Sequence, residues 1–134
     1  MLPFEFVIDG PPVSQQARRR ERVRQWRDVV RRVAEQHWPP EELPFTGPIM
    51  LTVMYFYDNV AMDLDNLPKP ILNALKGLVY LDDDHVTDIV CRKRNRNSDL
   101  RLEKPSSFLG EGFRRGNEFL YIVVGEAPDQ EVIY

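Results

Sequence analysis

The chain has one cysteine, Cys91, and two histidines, His37 and His85. A single thiol excludes an internal disulfide and a thiolate zinc site, and its lack of pairing suits a reducing, intracellular setting. The two histidines have no partner at zinc-ligand spacing. No apolar run approaches the ~20 residues that span a bilayer. The opening "MLPFEFVIDG" lacks the basic start and long apolar core of a secretory signal. The expectation is a cytoplasmic protein without membrane contact. Internal repeats and low-complexity tracts are also missing. With 134 residues, 43% of them hydrophobic, the chain has enough material for one core but not two. Residues 1–134 are therefore expected to form one domain.

A net charge of −3 speaks against bulk electrostatic attraction to nucleic acid, but that sum hides a segregation. Ala17 to Gln36 holds eight arginines against three acids, and Arg92 to Lys104 holds six basic residues against two acids. Between them, Asp58 to Asp88 holds seven aspartates and two lysines. Binding fields act over about a Debye length, ~8–10 Å in cellular salt, so these local tracts matter more than the total.

Periodicity supplies the frame. Phe4, Phe6 and Ile8 alternate with Glu5 and Asp9, so residues 3–9 read as a half-buried strand ending at "GPPVS". Val23, Trp26, Val30, Val33 and His37 recur at helical spacing until "WPP" stops them. Arg20, Arg24, Arg27 and Arg31 form a stripe beside that apolar face, either a solvated surface or a phosphate-contacting one. "IMLTVMYFY", residues 49–57, suits a central strand covered on both sides. Leu67, Ile71, Ala74, Leu75 and Leu78 mark a second helix, with Pro68 and Pro70 in its first turn and Gly77 closing it. Its other face carries Lys69, Asn73 and Lys76. "VTDIVC" (86–91) and "FLYIVV" (119–124) read as strands, joined by a long polar connection from Asn97 to Asn117. The expected class is α+β: a mixed sheet of about four strands with two main helices, mostly on one face.

The acids of "MDLDNLPKPILNALKGLVYLDDDHV" carry the chemistry. In an extended segment Asp63 and Asp65 point the same way while Leu64 turns inward. Adjacent carboxylates repel unless a cation sits between them. Asp82, Asp83 and Asp84 precede the next strand, where a single turn could bring one or two of them to the same spot. Oxygen-only ligands suit a hard ion such as Mg²⁺. An EF-hand is excluded, because its fifth and sixth positions counted from Asp63 would be Leu67 and Pro68. The plainer reading makes these aspartates a helix cap and a turn. It accounts for Asp65 or Asn66 and for one residue of "DDD", but not for five acids.

"DLDNLPKPILNALKGLVYLDDDHVTDIVCRK", Asp63 to Lys93, resembles the signature of the RusA family of Holliday-junction resolvases. The features shared are an Asp-x-Asp-Asn-x-x-Lys opening, an Asn-Ala-Leu step in a helix, and a double aspartate before a valine-led strand ending in lysine. "GPPVSQQ" is similar to the family's Pro-Pro-Ser turn. The resemblance implies a RusA-like fold and a homodimeric endonuclease that resolves four-way DNA junctions by paired cuts, using Mg²⁺, with Mn²⁺ as a substitute. It makes Asp63, Asp65 and Asp83 the catalytic, metal-holding aspartates and Lys69 the catalytic lysine. Asp82 matches the acidic neighbour, and Asp84 leaves open a one-residue shift in register; both are additional acidic candidates. Lys76 and Lys93 read as phosphate contacts, together with Arg20, Arg24, Arg27, Arg31, Arg92 and Arg94. His85 is a candidate base, and Asp88 a strand-face residue.

Two features depart from the pattern: the strongly basic first helix and the long 97–117 connection. The alternatives are a nucleic-acid-binding module with a decayed site and a metal-dependent nuclease of RNA or flaps.

Overall fold

The computed structural model describes residues 1–59, 62–104 and 106–134. Strand β1, Phe4–Asp9, turns Phe4, Phe6 and Ile8 into the main core and Val7 into a smaller one on the opposite side. Helix α1, Arg20–His37, buries Val23, Trp26, Val30 and Ala34, a stripe set by the 3.6-residue repeat. It ends at Trp38, whose amide still reaches the Ala34 carbonyl and whose indole donates to the Glu42 carbonyl at 3.0 Å.

Strand β2, Ile49–Tyr57, spans the run read from the sequence and lies inside the sheet. Ile49, Leu51, Val53 and Tyr55 face the main core, and Phe56 faces the smaller one. Helix α2, Pro68–Leu75, has proline in its first turn, where a missing amide costs least. Gly77, just past its end, has φ +87°, a left-handed conformation that an L side chain rarely adopts.

Strand β3, Val86–Asn95, runs four residues beyond the expected end at Cys91. Those residues are Arg92, Lys93, Arg94 and Asn95, which give no apolar signal. Strand β4, Phe119–Glu126, completes the sheet in the order β1-β4-β2-β3. β4 pairs antiparallel with β1 and β2, whereas β2 and β3 are parallel, so the sheet is mixed as expected for α+β.

The 97–117 connection, read from the sequence as a long polar loop, is not irregular throughout. It contains a third helix, α3, Ser107–Arg114. The Ser106 hydroxyl caps it by accepting from the Leu109 amide at 3.2 Å. Gly110 and Gly112 weaken helical propensity in "SFLGEGFR", which is why the sequence pattern missed it. Packing requires Gly112: a Cβ there would lie 2.3 Å from the Phe119 ring. α3 covers the smaller core of Val7, Phe56, Leu109 and Phe119. Helices thus cover both faces, α1 and α2 on one side and α3 on the other.

Candidate functional site

A parallel β2–β3 pair requires a crossover, and α2 supplies it. The chain leaves the C-terminal end of β2, descends through α2, and re-enters at the N-terminal end of β3. The sheet therefore has an upper end, where β2 and β3 finish, and a lower end, where they begin.

At the upper end, Leu64–Asn66 forms one 3-10 turn leading into α2, closed by the Asn66 amide on the Asp63 carbonyl and the Leu67 amide on the Leu64 carbonyl. The extended reading of this segment is thereby corrected. A turn satisfies the amides ahead of Pro68, and Leu64 still packs inward on the core. Asp63 and Asp65 are both exposed, and among the described residues neither side chain has a hydrogen-bond or ion-pair partner. Lys69 is exposed on the first turn of α2. Lys93 reaches this end from β3, its Nζ donating to the Met62 carbonyl at 3.3 Å.

At the lower end, Asp83–His85 forms a second 3-10 turn. The Asp82 carboxylate caps it by accepting from the Asp84 amide at 3.0 Å, the turn role that the plainer reading assigned to one of these acids. Asp83 lies 3.4 Å from the Lys76 ammonium, so Lys76 serves this end of α2 while Lys69 serves the other. Tyr80 lies beneath. Its hydroxyl donates to the Leu72 carbonyl at 2.8 Å. Burial, and secondarily the charge on Asp83, push its phenol up to about 12. His85 has a buried Nδ1 with no partner among the described residues.

Asp63, Asp65 and Asp83 are therefore not assembled within one chain. Val86 pairs with Ile49 and Lys93 with Tyr55, so the two acid groups are separated by most of the length of β3. Among the described residues no group of three or more His, Cys, Asp or Glu side chains stands together as a metal site requires. Two carboxylates at the upper end have the right chemistry for a hard cation, but the threefold set does not fit inside a single protomer.

The arginine stripe divides as well. Arg20, Arg24 and Arg27 line a cleft of about 220 Å³ with Gln15 of the "GPPVSQQ" turn and with Pro70 and Asn73 of α2. Arg20 holds the Gln15 carbonyl at 2.6 Å, and the Gln15 amide donates to the Asn66 carbonyl at 3.2 Å, which ties the cleft to the acidic turn. Arg24 also pairs with Glu21 at 2.9 Å. Arg31 does something else. It donates to the carbonyls of Ala74 and Lys76 at 3.2 and 2.9 Å, capping the end of α2, and pairs with Glu35.

The 92–94 tract splits by strand alternation. Lys93 and Cys91 face α2, whereas Arg92 and Arg94 face α3. There they line a groove of about 600 Å³ with Arg101 and Lys104, floored by Met54, Phe56 and Tyr121. Arg96 is taken by Asp58 at 2.7 Å, next to a hydrogen bond of 3.0 Å from the Tyr55 hydroxyl to Glu118. The place of Lys93 beside the acids was the detail that reading the tract as one patch missed. Carrying the alternation past Cys91 would have revealed it.

Exposed acids thus stand at one end of the sheet with Lys69 and the half-buried Lys93, and arginines line the adjoining cleft. A family model described as Endodeoxyribonuclease RusA matches residues 10–103. The chain belongs to that family, a family of nucleases. The match runs from the turn after β1 through β3 and stops before α3 and β4. No curated protein matches the chain.

Proposed function

We propose that the chain is a Mg²⁺-dependent endodeoxyribonuclease that works as a homodimer on four-way or otherwise branched DNA, cutting two strands symmetrically. The observation that carries this reading is the exposed, unpartnered Asp63–Asp65 pair flanked by Lys69 and Lys93, in a chain of the RusA family. A divalent ion bound by such carboxylates activates water and neutralises phosphate charge.

The chain's own groups account for the rest. Arg20, Arg24 and Arg27 grip backbone phosphates, which gives affinity without reading sequence. Lys69 donates from its ammonium to a phosphate oxygen as negative charge builds there. Lys93, held on the Met62 carbonyl, fixes the acidic turn against β3 and adds positive charge beside it.

The test is incubation of purified protein with Mg²⁺ and, separately, a four-way junction, a duplex, a flap, a single strand and RNA. Paired symmetric nicks confined to the junction are expected. Cleavage of flaps or RNA alone would replace the substrate, and binding without any cleavage would replace the enzyme with a binding module.

A further inference from the structure

The face of the sheet that carries α3 holds a second cationic surface, and its chemistry differs from that of the arginine cleft. Strand pairing sets Met54 between Arg92 and Tyr121, and one step further along it sets Phe56 between Arg94 and Phe119. Arg92 and Arg94 share one face of β3, about 6.6 Å apart at ~3.3 Å per residue, which is of the order of the step between phosphates in a stretched single strand. The facing wall of the groove brings Arg101 and Lys104. Four exposed cations thus meet one acid, Glu103, around the half-buried Met54 and Tyr121.

Among the described residues none of these four cations has a carboxylate partner, and Arg94 donates only to the Lys93 carbonyl at 2.9 Å. Neighbouring cations are committed, Arg96 to Asp58 and Arg115 to Asp9 and Glu111. The local excess of positive charge therefore attracts a polyanion. The groove's remaining walls, Lys104, Leu109 and Tyr121, follow residue 103, so the family match does not account for it.

We infer that this groove holds an unpaired stretch of DNA, with the rim cations taking phosphates and Tyr121 and Met54 taking the faces of bases. That the polyanion is DNA rests on the nuclease reading; that it is single-stranded rests on the groove. A duplex keeps its base faces stacked inside and leaves an apolar floor unused. A single strand offers phosphates and base faces together, which a surface of cations and an aromatic ring accepts without reading sequence. The Tyr121 ring is fixed for this role, because its hydroxyl donates to the Glu5 carboxylate. Lys93, between Arg92 and Arg94 in the strand, reaches the Asp63–Asp65 turn on the other face. A strand leaving that turn over the end of β3 enters the groove.

The experiment is binding of a fluorescent oligo-dT of about ten nucleotides to the full chain in Mg²⁺-free buffer, beside an abasic strand of the same length and charge. The abasic strand binds at least about fivefold more weakly. Arg92→Ala with Arg101→Ala lowers oligo-dT affinity about tenfold and the salt slope by about 1.4, ~0.7 for each lost phosphate contact. Tyr121→Leu, with folding checked by a thermal melt, weakens oligo-dT about fivefold and leaves the abasic strand unchanged. Arg24→Ala with Arg27→Ala keeps oligo-dT affinity within about twofold. Equal binding of the two strands by the wild-type chain overturns the base contact, and a loss seen in the α1 variant but not in the groove variant moves the strand to the other face; either result refutes the inference. A chain that cuts junctions without binding oligo-dT also refutes it and leaves the nuclease reading intact. One that binds as described but cuts no DNA sustains the groove and overturns that reading.

Discussion

The upper pair of aspartates and the lower trio differ in what their carboxylates already touch. Below, Asp82 caps its own turn and Asp83 sits against Lys76. Above, Asp63 and Asp65 face solvent without partners among the described residues. Carboxylates engaged in this way support the fold, whereas exposed, unpartnered ones add little to it and stay open to an incoming cation. The same contrast runs along α1. Arg20, Arg24 and Arg27 open onto a cleft, while Arg31 is committed to the carbonyls at the end of α2.

The sharpest way to break this contrast is to neutralise one acid at each end. Asp65→Asn should lower junction cutting by at least about a hundredfold while binding persists and thermal stability is unchanged. Asp82→Ala should instead lower stability by about 1 kcal/mol because its turn is left uncapped, seen in urea denaturation. Equal stability losses at the two ends would erase the distinction. The arginines give a smaller effect. Arg24→Ala with Arg27→Ala should weaken DNA binding and reduce the salt slope by about two, one for each phosphate that is no longer neutralised. Arg31→Ala should leave that slope unchanged and destabilise the fold by about 1 kcal/mol. A slope unmoved by the double change would return the cleft to a solvated surface.

The smallest effect concerns Tyr80 under the lower cluster. Its phenol is raised from 10.0 to about 12 in the fold, so the unfolded chain releases this proton first as pH climbs. The associated stability is fully present below pH 10 and is lost as pH rises toward 12. Denaturation midpoints measured across that interval should fall, and Tyr80→Phe should flatten the decline. A decline of the same steepness in Tyr80→Phe would place its origin elsewhere.

Much of the fold was legible because its apolar patterns are unambiguous. β2 is apolar on both faces over nine residues, and α1 shows one stripe over five turns. What escaped was written in residues that bury little. The last residues of β3 are mostly charged because the strand lies at an edge, and α3 is interrupted by glycines that its packing demands. The candidate site was legible as composition rather than as place. Nothing in "DLDNLPKPILNALKGLVYLDDD" states that β2 and β3 run parallel, and that pairing alone sends Asp63 and Asp83 to opposite ends. The arginine stripe had the same weakness, since helical spacing gives a face without saying which members find carbonyls to hold.

The interlock of Gly112 with Phe119 also bears on how this protein could diversify. Because α3 is pinned so tightly to β4, residues added or exchanged between Asn97 and Lys104 need not disturb the strands on either side. That stretch contributes Arg101 and Lys104 to the groove over Arg92 and Arg94. The lining of that groove can therefore change while the acidic ends of β3 stay untouched.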